Sequence, residues 1–101
     1  MTISTANALS LLETVYPNKA ELEQVVTKLI DVVRSQYQLR LKHYDQELAS
    51  MERQYQMDTP TFYRKFEAGE LGDRDEYFDW AGLFELREDL LVRMGALDSV
   101  S

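Results

Sequence analysis

The 101-residue chain has no cysteine, two prolines, four glycines and one histidine. Without cysteine it has no disulfide scaffold, no thiol nucleophile and no thiolate metal site, a composition that suits a reducing cytoplasm. No apolar run approaches the ~20 residues of a membrane-crossing helix. Met1 to Pro17 lacks the basic start of a signal peptide. The lone His43 sits beside Tyr44, with Arg40, Gln46 and Glu47 as helical neighbours, and the Glu-x-x-His signature of di-iron bundles is missing. It is expected at the surface, not on a metal. There is no phosphate-cradling glycine loop, and no histidine with which a serine or threonine would form an evident triad. Paired carboxylates can always be chosen among 18 acidic residues, so choosing them carries no weight. No enzyme, cofactor or metal is expected.

Positive charge is also scarce: 11 basic against 18 acidic residues give a net charge of −7 and a pI near 4.6. Arg34, Arg40, Lys42 and Arg53 are scattered along a neutral stretch and do not form a patch. The overall field repels phosphate, so direct nucleic-acid binding is not expected.

What the chain does have is helical periodicity. Its length suits a single domain over residues 1–101, and 45% hydrophobic with 29% charged residues is ordinary for a folded protein. Between Pro17 and Pro60, residues 18–57 contain neither glycine nor proline. Asn18-Lys-Ala-Glu21 reads as a capping box. Leu22, Val26, Leu29, Val33, Tyr37, Leu41, Tyr44, Leu48, Met51 and Tyr55 then follow at spacings of three and four, a coiled-coil-like seam with one stutter. Thr59-Pro60 reads as the cap and first turn of a short helix over 58–70, carrying Phe62, Tyr63 and Phe66 and stopping at Gly69. Asp73-Arg-Asp-Glu76 reads as a second capping box, opening a helix over 73–94 that Gly95 ends. Its main stripe is Tyr77, Trp80, Phe84, Leu91 and Met94, flanked by Ala81, Leu83, Leu86 and Leu90. Leu9, Leu12, Val15 and Tyr16 suggest another short helix within 1–17. No strand-like alternation is present.

The expected fold is all-α: an elongated antiparallel helical hairpin built on one ~40-residue helix. Phe62, Phe66, Trp80 and Phe84 are its expected core. A helix of that length spans ~60 Å, and the last helix covers only ~33 Å of it. The apolar surface of Val25, Val26, Leu29, Ile30, Val32 and Val33 therefore needs another cover, which makes these residues candidates for self-association as a homodimer.

Charge is unevenly placed. Residues 1–17 carry −1, residues 18–57 carry zero and residues 58–101 carry −6. Glu67, Glu70, Asp73, Asp75, Glu76 and Asp79 face only Arg74 within their segment. Asp73, Asp75 and Asp79 do not make a calcium loop, because the central glycine and terminal glutamate are lacking. Acidic residues in a first helical turn offset the helix dipole, which accounts for Asp73, Asp75 and Glu76. Glu67, Glu70 and Asp79 are not needed for that purpose. All six are therefore candidates for binding a basic protein partner.

The stretch Tyr55-Gln-Met-Asp-Thr-Pro-Thr-Phe62-Tyr63-Arg-Lys-Phe66-Glu-Ala-Gly69-Glu-Leu-Gly72-Asp73, followed by Asp-Glu-Tyr-Phe78-Asp-Trp80-Ala-Gly-Leu-Phe84, resembles a group of small helical antitoxin-like proteins of cyanobacteria and other prokaryotes. In that group a long helix ends in Tyr-Gly-Met, followed by Phe-Tyr-x-x-Phe-x-x-Gly, an acidic turn and an acidic-aromatic helix with tryptophan. The likeness covers roughly residues 40–94 and departs at Gln56, where the group has glycine. The long helix is therefore expected to run on to Met57 without that break. The resemblance implies an antitoxin-like partner that masks a small basic toxin, its acidic surface standing in for the phosphates of an RNA substrate. A homodimeric coiled-coil-like scaffold with no toxin partner is the alternative. A neighbouring reading frame for a short basic protein would separate the two.

Overall fold

The computed structural model describes residues 4–99 and is all-helical, with no strand among them. Four helices follow in order: α1 (Thr5–Val15), α2 (Lys19–Tyr55), α3 (Thr59–Glu67) and α4 (Asp75–Asp98). Contacts divide the chain into two units, which meet between Val33 and Arg34. Residues 1–3, part of the expected N-terminal segment, lie outside the described residues.

In the first unit Ser4 caps α1, its hydroxyl accepting from the Asn7 amide at 3.3 Å. Asn18 caps α2 with its side-chain oxygen, which accepts from the amides of Ala20 at 2.9 Å and Glu21 at 3.4 Å. That is the asparagine half of the capping box. Leu22, Val25, Ile30 and Val33 are half-buried, whereas Val26, Leu29 and Val32 are exposed, and so are Leu9, Leu11 and Val15 on α1.

The second unit is built on the rest of α2. From Arg34 onward its inward positions are Tyr37, Leu41, Tyr44, Leu48, Met51 and Tyr55, all half-buried except Leu48, which is buried. α4 packs antiparallel to this segment. Tyr55 meets Tyr77, Asp45 meets Arg87 and Arg34 meets Asp98, so each step back along α2 is matched by a step forward along α4.

Four local expectations are corrected. α2 does not run to Met57: it stops at Tyr55, and Gln56 takes a left-handed conformation at φ 51°. The Met57 amide then reaches back to the Glu52 carbonyl at 3.3 Å, closing the helix end as a glycine would. Thr59 does not cap α3. Asp58 does, accepting from the Thr61 amide at 3.0 Å, while Pro60 occupies the first turn. Nor does Asp73 cap α4. The cap position falls to Arg74, which makes no side-chain capping bond, lies 5.8 Å over the Tyr77 ring and pairs with Glu76 at 3.4 Å.

The fourth correction concerns the far end of α4, which passes through Gly95 to Asp98. Its inward stripe shifts after Phe84 to Arg87, Leu90, Met94 and Leu97, so Leu90 is buried while Leu91 and Leu86 are exposed. Leu97 continues that packed stripe past the glycine. An interior glycine costs only ~1 kcal/mol relative to alanine, too little to end a helix whose next apolar residue is half-buried.

α3 ends as the sequence predicts, with Gly69 left-handed at φ 72°. The Gly69 amide donates to the Phe66 carbonyl and the Glu70 amide to that of Lys65, so the last carbonyls are satisfied. A side chain at position 69 would be strained in this conformation, although the space beyond it is open.

Candidate functional site

The end of α3, the turn after it and the start of α4 together carry the six carboxylates and rest on an aromatic corner. Trp80 and Phe62 are both fully buried, with ring centroids 3.8 Å apart and planes within 7°. Tyr55 stacks on Trp80 at 5.6 Å and meets Tyr77 edge-on at 5.4 Å. Phe66 and Phe84 are half-buried at the margin of this cluster, Phe84 against Tyr63 at 4.6 Å. α2, α3 and α4 each contribute a ring, so the corner ties all three helices of the second unit together.

A polar chain crosses the corner. The Trp80 indole N–H donates to the Thr59 hydroxyl at 3.1 Å, and the Thr59 amide donates to Glu52 Oε2 at 2.7 Å. Thr59 is itself buried, so the indole bond is shielded from water, while the bond to Glu52 is partly so. Sequence reasoning missed this role because Thr-Pro resembles a capping dipeptide. The signal that could have shown it is Asp58, which caps better than threonine and frees Thr59 for the interior. The Tyr55 hydroxyl is buried with no hydrogen-bond partner.

Glu67, Glu70, Asp73, Asp75, Glu76 and Asp79 are all exposed. Asp75 and Glu76 occupy the first turn of α4, where they face the positive end of the helix dipole. Tyr63 donates to Glu85 Oε1 at 2.7 Å; that bond, and then hydrogen bonding to Glu67, pushes its phenol above the ordinary range. Among the described residues, only Glu76 of the six forms an ion pair, with Arg74. The structure thus places all six along the end of α3, the turn and the helix start that follows it, with only Arg74 among them.

A cleft of about 420 Å³ lies on another side of the corner, lined among others by Asp45, Glu52, Thr59, Phe84, Arg87 and Glu88. Its charged groups are engaged with one another. Arg87 donates to Asp45 at 2.6 Å and to Glu88 at 3.3 Å, and Glu52 accepts the Thr59 amide. Asp45 and then Glu88 hold the Arg87 pKa above its usual value. The buried Thr59 hydroxyl in this cleft accepts from the Trp80 indole.

His43 is exposed on α2. Among the described residues no group of three or more His, Asp or Glu side chains could hold a metal ion. None of the described helices is long and apolar enough to cross a membrane.

The self-association candidates belong to the first unit, where Val25, Ile30 and Val33 are half-buried and Val26, Leu29 and Val32 exposed. Comparison of the chain with protein-family models, curated proteins and solved structures finds no match.

Proposed function

We propose that the chain is a non-enzymatic protein-interaction module whose binding element is the acidic turn, and that it acts as an antitoxin-like partner masking a small basic protein in the cytoplasm. The observation that carries this reading is the gathering of six exposed carboxylates between Glu67 and Asp79, of which, among the described residues, only Glu76 is ion-paired, on a corner held by buried aromatic rings. A fixed array of negative charge attracts a basic surface from a distance and orients it on arrival. The resemblance of residues 40–94 to antitoxin-like proteins supports the same reading.

The test is a protein co-purified from native cells, then rebound to variants. Glu67→Lys, Glu70→Lys and Asp79→Lys together should slow association and remove most of its salt dependence while leaving the helical content unchanged. Screening shortens the field to ~8 Å at physiological ionic strength, so the wild-type rate should fall as salt is added. Equal association rates for the wild type and the triple variant would remove the acidic turn from the mechanism.

A second reading, a homodimeric scaffold, is favoured by the exposure of Val26, Leu29 and Val32. β-branched residues at positions 26 and 33 with leucine at 22 and 29 suit a two-stranded seam. Light scattering at micromolar concentration tests it, and Leu29→Lys should convert any dimer to monomer.

A further inference from the structure

The acidic turn adjoins an apolar strip on the outer side of α4. Phe78, Gly82 and Leu86 follow one another at spacings of four, and Gly82 lies two residues from Trp80, a rotation of ~200° about the helix. The strip therefore faces away from the packed aromatic corner. Phe78 is 55% exposed and Leu86 52% exposed, large values for residues that could have been polar. Phe66 meets Phe78 edge-on at 5.3 Å and props that ring at the head of the strip. At Gly82 nothing beyond its chain neighbours and the adjacent α4 backbone lies within 4 Å of where a side chain would begin. Together with Leu83, these residues line a shallow groove of about 410 Å³, with the carboxylates of Glu47 and Asp79 at its rim and no basic residue in its lining.

We propose that this groove is the docking site for a basic amphipathic helix of the partner protein. The inference rests on the interaction-module reading above and names the shape that the partner presents. A helix laid in an apolar groove is read through anchors three or four residues apart. Phe78 and Leu86 supply two apolar walls ~12 Å apart, and the missing side chain at Gly82 lets a partner side chain or backbone approach closely between them. Charge selects the occupant. Glu47 and Asp79 at the rim, with Glu67, Glu70, Asp73, Asp75 and Glu76 beyond the α4 start, pair with lysines and arginines flanking an apolar stripe. A second copy of this chain, itself at −7, brings the same acidic rim and is repelled.

The experiment uses the full chain and a synthetic helical peptide of about 18 residues, long enough to outreach the groove. The peptide carries leucines on one face and lysines and arginines flanking them; a control of the same composition has its order scrambled. Binding is followed by fluorescence anisotropy of the labelled peptide. The patterned peptide should bind saturably, and the scrambled one at least about tenfold more weakly. Gly82→Arg fills the groove with a better helix former and a repelling charge, so the protein should stay folded while affinity falls at least about tenfold. Leu86→Lys, at an exposed position, should do the same.

Glu67→Lys with Glu70→Lys should weaken binding less than Gly82→Arg does and should reduce its salt dependence. The groove is excluded if the patterned peptide shows no saturable binding up to roughly 100 μM, or if Gly82→Arg binds as well as the wild type. It is also excluded if the free protein is a dimer that Gly82→Arg dissociates, since the occupant is then a second copy. Unchanged binding in Gly82→Arg beside a loss in the charge-reversed pair removes the groove and leaves the acidic turn standing; the converse result removes the turn and keeps the groove.

Discussion

Replacing Thr59 by valine keeps the shape of a buried side chain and removes the acceptor that the Trp80 indole uses at 3.1 Å. Both partners are shielded, so water cannot take the place of the lost oxygen. A buried donor left unsatisfied costs ~1–3 kcal/mol. For a domain of this size that corresponds to a fall in melting temperature of roughly 4–8 °C per kcal/mol. Thr59→Ser separates the terms: it keeps the hydroxyl and loses one methyl, worth ~0.8 kcal/mol. The expected order of stability is therefore wild type, then serine, then valine, with Trp80→Ala below all three at a loss of ~3–5 kcal/mol. Urea unfolding followed by fluorescence reports this unit directly, because Trp80 is the sole tryptophan. Far-UV circular dichroism on the same samples checks that the helices remain before the transition. The backbone bond from position 59 to Glu52 is untouched by either substitution, so the loss from wild type to valine reports the indole bond and the serine variant reports the methyl. A valine variant as stable as the wild type would refute the claim that this bond holds the corner.

Gln56 sits left-handed where glycine carries no strain, so Gln56→Gly should raise stability by ~0.5–1 kcal/mol, read as an upward shift of the urea midpoint. Tyr55→Phe removes a buried hydroxyl that has no partner and should leave stability unchanged or higher; a loss beyond ~1 kcal/mol in urea unfolding would refute this. Hydrogen bonds from Thr61 hold Asp58 below its ordinary value of 3.8. Its capping contribution is therefore full above pH 3.8 and lost as pH falls through the lower folded-state value. Asp58→Asn, which caps without titrating, should show a smaller fall in melting temperature between neutral and acid pH than the wild type.

The all-helical class, the uninterrupted α2 and the burial of Trp80 could be read directly, because seam spacings of three and four persist over many turns and fix which face is covered. Helix ends were harder. At Gln56, Thr59 and Gly95 the local preference of one residue competed with tertiary packing, and packing prevailed. Glutamine accepted a left-handed φ so that α3 could turn back, and Gly95 stayed helical because Leu97 continues the packed stripe. The six carboxylates of the turn were visible as a charge run. The outward groove was not: Phe78 and Leu86 looked like ordinary members of an apolar helix until the Trp80 face was seen to be occupied. Single-sequence periodicity cannot assign an apolar residue to one of two faces when both are apolar.

The antiparallel register also carries a consequence for how the chain folds. Within the α3–α4 corner the Thr59–Trp80 and Tyr63–Glu85 bonds close loops of 21 and 22 residues, while Asp45–Arg87 closes one of 42. Doubling a loop adds only ~0.6 kcal/mol of closure entropy, but the corner gains its stacked rings as soon as the shorter loop closes. The α3–α4 hairpin is therefore expected to form first, with the α2 segment docking on a surface already in place. Mutations at Phe62 or Trp80 should then slow folding, whereas Asp45→Asn should chiefly speed unfolding.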